Sequence, residues 1–187
     1  MPQNFWNNPT VEPKRNFRFL FEISNFPDAT WLVKTAERPK ATVNSVAHQY
    51  INHTFNYPGR LVWNPISVTL VDPAQPVDTT KSIDSFLELA GYARPGGDAN
   101  ASFASAQSAL LKGSSVGALG TVIISALSPA AGPVVPDHKA DSWELKNAFI
   151  EGEVNFGTFD YADDNLMTIS FSLKYDWPNL TVHSNGQ

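Results

Sequence analysis

Residues 167–175 read Met-Thr-Ile-Ser-Phe-Ser-Leu-Lys-Tyr. Met167, Ile169, Phe171, Leu173 and Tyr175 fall on one parity; Thr168, Ser170, Ser172 and Lys174 fall on the other. Side chains alternate across a strand, so this stretch is a strand with one buried face and one polar face. A sheet that keeps one face wet is characteristically antiparallel. The same alternation recurs upstream: Phe17, Phe19, Phe21 and Ile23 against Arg18, Leu20 and Glu22, and Ile66, Val68 and Leu70 against Ser67, Thr69 and Val71. Downstream of the middle, Trp143, Leu145 and Asn147 alternate with Glu144 and Lys146, while Val154 and Phe156 oppose Glu151, Glu153 and Asn155. Trp31 to Arg38, closed by Pro39, and Val122 to Leu127 also read as strands.

Only one segment has a firm helical period. Ile83, Phe86, Leu87 and Ala90 lie at i, i+3, i+4 and i+7; Asp78, Thr79 or Thr80 caps the start, and Gly91 suits the C′ position. One helix among many strands predicts a mainly β chain: two packed antiparallel sheets in a barrel-like sandwich, with one flanking helix. No internal repeat is visible, and 1–187 reads as a single domain.

Three segments stand outside that pattern. Residues 1–16 are polar, contain Pro2, Pro9 and Pro13, and read as an arm. Residues 42–57 hold β-formers studded with Asn44, His48, Gln49, Asn52, His53 and Asn56, so they read as an extended hairpin with little apolar support. Residues 94–117 form a long insertion: the loop 94–100, a small-residue, weakly helical run from Ser102 to Lys112, then loop again from Ser114 to Gly120. Pro129 to Pro133 reads as a turn.

Composition narrows the function. The 187 residues contain no cysteine, which excludes disulfides, thiolate catalysis and cysteine-ligated zinc. The formal net charge is −5, against the basic footprint of a nucleic-acid binder. That charge is divided: residues 1–60 carry seven basic and four acidic side chains, and residues 61–187 carry six and fourteen. Two faces of opposite sign favour head-to-tail self-association. Charged residues are only 17% of the chain and aromatics 12%, as expected of a surface that ends up buried against partners. Met1 to Trp6 has no basic or apolar leader character, and Val116 to Leu127 is too short and too interrupted to span a bilayer, so no membrane insertion is expected.

No catalytic constellation emerges. There is no P-loop, no dinucleotide fingerprint and no HExxH. His48 and His53 lie five apart in a β segment, so their side chains should face opposite ways and share no metal. Asp160, Asp163 and Asp164 form an acidic loop without the glycine and terminal glutamate of a calcium site. Glu151 and Glu153 share a strand face at i, i+2, the pattern of an exposed or lumen-facing strand rather than a catalytic pair. Ser125 and Ser128 lack a nucleophile-elbow context. No catalytic, cofactor or metal residue is assigned.

Three stretches together carry a family likeness: Asn4–Ile23, an arm running into a strand; Leu61–Asp72, a tryptophan-containing strand; and Ser142–Leu180, with Trp-x-Leu, a Phe-Gly-x-x-Asp-Tyr turn and a strand ending Tyr-Asp-Trp. In that order they resemble the tail tube protein of contractile-tailed bacteriophages, a family similar to the inner-tube proteins of contractile injection systems and type VI secretion. The resemblance implies homohexameric rings stacked head to tail beneath a contractile sheath. It implies a virion tail location, with the sheath, baseplate and tail terminator proteins as partners, a tape measure protein in the lumen, and double-stranded DNA in transit. It also implies an inter-ring role for the hairpin, with His48, Tyr50, Asn52, His53, Phe55 and Tyr57 as contact candidates. Longer than the family's usual connection, the 94–117 insertion is the departure. A conduit for DNA should repel phosphates, so Glu151 and Glu153 are candidates to line the lumen. The residues leave other classes open: a minor tube-like protein, such as a baseplate tube initiator or injection-system tube, or a monomeric sandwich binding a ligand through 94–117.

Overall fold

The computed structural model describes residues 13–92, 109–128 and 139–183. One sheet holds β1 (Phe19–Ile23), β6 (Val122–Leu127), β7 (Lys139–Lys146) and β10 (Trp177–Val182), in the order β1-β6-β7-β10. The second holds β2 (Val33–Ala36), β5 (Ile66–Val71), β9 (Thr168–Lys174) and β8 (Phe149–Asn155), in the order β2-β5-β9-β8. All the pairings are antiparallel. β3 (Lys40–Tyr50) and β4 (His53–Asn64) form a separate two-stranded hairpin.

The alternation in β9 sets the register of the second sheet. Ile169, Phe171 and Leu173 pair with Leu70, Val68 and Ile66, and all six are buried. Across the sandwich they meet Phe21, Ile23, Val122, Ile124 and Leu145 from the first sheet. Each such side chain contributes about 1.5–3 kcal/mol on burial. The other parity of the second sheet, including Ser67, Thr69, Ser170 and Ser172, makes a hydroxyl-rich outer face.

Helix α2 (Thr79–Leu89) runs as its period requires. Asp78 caps it, its carboxylate accepting from the Lys81 N–H at 2.9 Å, and Asp72 accepts from Thr80 N–H and hydroxyl. Ile83 and Phe86 face the core, where Phe86 meets Phe26 edge-on at 6.1 Å. Gly91, at φ +114°, ends the helix as expected.

Three expectations need correction. Trp31 to Arg38 is not one strand: a single helical turn, α1 (Ala29–Leu32), precedes β2, because the Asn25–Asp28 turn winds on before the chain extends. Ser114 to Gly120 is not a loop: α3 (Lys112–Leu119) occupies it. The signal was missed because its apolar contact is confined to Ala118 and Leu119 and its end is capped from elsewhere. Asn25 Nδ2 donates to the carbonyls of Gly117 and Ala118, and Thr121 N–H donates to Ser24 Oγ at 2.8 Å. The chain also returns once more after β9, as β10, beyond the strand expected to close the fold. The expected sandwich of two packed antiparallel sheets is present, and it stays open: the outer strands β1 and β2, and β10 and β8, do not pair with one another. The arm's residues 1–12, most of the insertion (93–108) and the 129–133 turn lie outside the described residues.

Candidate assembly surfaces

The hairpin is longer than expected, 40–64 rather than 42–57, and every residue from Lys40 to Val62 is exposed. Ten residue steps from Lys40 to Tyr50 carry it about 33 Å. Among the described residues it is anchored at its root, where Trp63 packs on the core beside Tyr175 and Lys40 pairs with Glu37 at 2.8 Å. That lysine, and then the Ser67 N–H, hold the Glu37 carboxyl below its ordinary range.

Its register decides which side chains share a face. Val46 pairs with Tyr57, His48 with Phe55 and Tyr50 with His53. Directly opposed residues lie on the same face of a ladder. His48 and His53 therefore do not face opposite ways. The turn at Ile51-Asn52, with Ile51 at φ +53°, falls between them and folds the second strand back, so parity counted along one strand does not apply. Five of the six contact candidates, His48, Tyr50, His53, Phe55 and Tyr57, share one face with Val46; Asn52 stands in the turn. The His53 and Phe55 rings meet edge-on at 4.6 Å. From Ala41 to Gly59 the hairpin carries no Asp, Glu, Lys or Arg.

Glu151 and Glu153 stand on the outer face of the edge strand β8. Glu151 opposes Ser172, and Glu153 borders a shallow depression with Ser67, Asn155, Ser170 and Ser172. The register slips between Glu151 and Asn155 around Gly152 (φ +76°) but preserves the alternation. Both carboxylates are exposed.

A second surface was not singled out by sequence. Between the edge strands β1 and β2 lies a cleft of about 660 Å³. Phe17, Phe19, Ala36, Ile124 and Ala126 supply its apolar lining, and Lys14, Arg15, Arg18, Lys34 and Arg38 its charge. Asp141 is the acid at its end: Lys14 and Arg38 both bind its Oδ2, Arg38 at 2.8 Å. Burial pushes the Asp141 carboxyl up, but the two cations together outweigh burial and hold it below the ordinary aspartate range. Arg38 also lies 6.0 Å from the centre of the Trp143 ring. Among the described residues, no carboxylate pairs with Arg15, Arg18 or Lys34. The net-basic first third of the sequence was the only available hint of this cleft.

Ser142 Oγ lies 3.0 Å from both Ser125 Oγ and His183 Nε2. Its strand β7 pairs with β6 and β10, and this contact ties the three together. Ser125 is fully buried. Asp160 and Asp163 accept backbone N–H groups of Ala162 and Asn165 and so shape their own turn. Among the described residues, no three His, Asp or Glu side chains are placed to hold a metal ion, and no helix is long and apolar enough to cross a membrane.

No protein-family model matches this sequence, and no curated protein matches it. Solved structures do. A chain of the tube-terminating cap of the anti-feeding prophage is 14% identical, with a TM-score of 0.62 over 98% of this chain and 100% of that one. A chain of the sheath/tube terminator of the extracellular contractile injection system PVC is 13% identical, with a TM-score of 0.61 over 92% and 99%. A chain of the PVC sheath-tube complex in its extended state is 12% identical, with a TM-score of 0.59 over 93% and 95%. The fold is thus one shared with tube and terminator components of contractile injection systems.

Proposed function

We propose that this chain is a structural subunit of a tail tube. Six copies join edge to edge in a ring, and rings stack head to tail into a conduit for DNA within a contractile sheath. The observation that carries this reading is the hairpin: about 33 Å of uncharged, aromatic-faced ribbon that its own body leaves bare. An isolated two-stranded ribbon is marginal in water, so such a face is made to be covered.

The sheet edges support the ring. β2 and β8 are the outer strands of one sheet, at its opposite ends. Joining unlike edges of identical copies is a heterologous contact, which closes into a ring when the rotation permits. It also satisfies edge hydrogen bonds that a monomer leaves to water. The hydroxyl-rich face of that sheet, with Glu151 and Glu153, then lines the lumen and repels phosphates. Lys174 shares the face but leans away, donating to the Trp63 carbonyl at 3.2 Å. The partners are the sheath, baseplate and terminator proteins outside and at the ends, and a tape measure protein within. The site of action is a virion tail.

A terminator role is the second reading, favoured by the full-length match to the tube-terminating cap. Copy number in purified particles separates the two. A tube subunit is among the most abundant proteins of the particle, and a terminator supplies a single ring. Sedimentation velocity tests the shared premise: the purified chain should sediment as a hexamer or larger as concentration rises. A species of one-chain mass at every concentration argues against both.

A further inference from the structure

We infer that His48 and His53 make the assembled state sensitive to pH: the aromatic face of the β3–β4 hairpin stays covered while both rings are neutral and is released when they gain protons. This rests on the stacked-tube reading, which covers that face, and adds the condition under which the stack comes apart.

Two of the chain's four histidines stand on this one face, with Val46, Tyr50, Phe55 and Tyr57. The Phe55 ring meets the His53 ring edge-on at 4.6 Å, which keeps the imidazole within the aromatic row. The opposite face of the ribbon holds Ala47, Gln49, Thr54 and Asn56, which carry no charge. The nearest formal charges along the two strands are Lys40 and Arg60, both cations and both toward the root. The ribbon therefore has no carboxylate of its own to pair with an imidazolium. No other described element covers it either, since every residue from Lys40 to Val62 is exposed.

Histidine is the side chain whose charge ordinarily changes between about pH 5 and 8. Tyrosine ordinarily ionises near pH 10 and carboxylates near pH 4, so Tyr50, Tyr57 and the acids elsewhere in the chain leave that interval to the imidazoles. In the free chain an imidazolium on this face is hydrated. Under a neighbouring copy it loses that water and gains no anion from its own ribbon, so the covered state favours the neutral ring. The sign follows: association is complete above the ordinary histidine pKa and is lost as pH falls below it. For a histidine of ordinary pKa, about 6.5, exclusion of the charged form costs about tenfold in association at about pH 5.5, and a pair costs about a hundredfold. Every copy carries the same pair, so the loss recurs at every contact along a stack.

The rival arrangement sets carboxylates of the covering copy against the imidazoles, for which the exposed loop with Asp160, Asp163 and Asp164 is the available source. Acid would then tighten the contact, because each imidazolium would gain an anion. The two arrangements differ in sign, and one titration separates them.

The full chain is followed by sedimentation velocity and negative-stain electron microscopy between about pH 8 and pH 5.5, at fixed ionic strength. The expected result is association at the upper end, loss of about a hundredfold at the lower end, and recovery when the pH is returned. His48→Gln and His53→Gln each keep a neutral polar side chain on an exposed position, and melting curves confirm that each variant folds. Each single variant should recover about tenfold at the acid end, and H48Q/H53Q should associate equally across the range. His183→Gln, away from the hairpin, should keep the wild-type profile. Association of the wild-type chain that is unchanged or stronger in acid overturns the inference and leaves the tube reading standing. A wild-type loss that persists undiminished in both single variants, or that disappears with His183→Gln, also overturns it. A chain that associates at no pH overturns the inference and the tube reading together.

Discussion

At the residue scale, Asp141 is the most exposed to test. It is one buried carboxylate shared by the arm, through Lys14, and the root of the hairpin, through Arg38. Both cations are about half exposed and can rehydrate when the acid is neutralised. Asp141→Asn should therefore cost about 1–3 kcal/mol in urea unfolding, less than a fully buried pair. The sign of its pH dependence follows from the lowered value. The contribution is complete above the ordinary aspartate pKa of about 3.9 and is lost as pH falls below it through the folded value. Acid unfolding of the Asp141→Asn variant should accordingly lack part of the wild-type transition; identical acid curves would contradict this. Gly120 is a second single-residue test. Its φ is +71°, and a Cβ there would clash with Ser24 Oγ. Gly120→Ala should lower stability by about 1–3 kcal/mol and loosen the clamp between the Ser24-Asn25 turn and α3, read as faster hydrogen exchange at Thr121. A variant as stable as wild type would mean that the turn relaxes freely.

At the element scale, the hairpin and α2 should behave in opposite ways. Phe86→Ala removes a buried ring from the core side of α2 and should cost about 3–5 kcal/mol. Truncating the hairpin between Val43 and Leu61 to a short turn removes no buried side chain, so the melting temperature of the unassembled chain should hold while assembly is lost. A large drop in melting temperature would show that the hairpin supports its own body. This contrast marks what sequence could reveal. β9, β5 and α2 were legible because one side of each is buried within the chain, which imposes a period on its residues. α3 was not legible, because only Ala118 and Leu119 of its eight residues are buried and its stop comes from Ser24 and Asn25, far away in sequence. His48 and His53 were assigned to opposite faces because the turn between them lies in a segment without a core-facing period. The cleft was hidden for a related reason: its cations come from the chain before β1, from β2 and from the residue pair after it, and only the packing of one sheet on the other brings those edges together.

At the scale of the whole molecule, charge and edges act together. The outer strands of the sheets and the uncharged, aromatic-faced ribbon are left uncovered within one copy, among the described residues. Neutralising the outer face of β8 with Glu151→Gln and Glu153→Gln should leave assembled tubes intact and slow DNA ejection, because the lumen then repels phosphates less. Unchanged ejection would remove those carboxylates from the lumen account. The central claim is that this chain builds a stacked tube. Negative-stain electron microscopy of the purified protein over a range of concentrations tests it most directly. The account predicts hexameric rings that stack into hollow tubes. Single, unassociated chains at every concentration, persisting after addition of a baseplate nucleus, would contradict it.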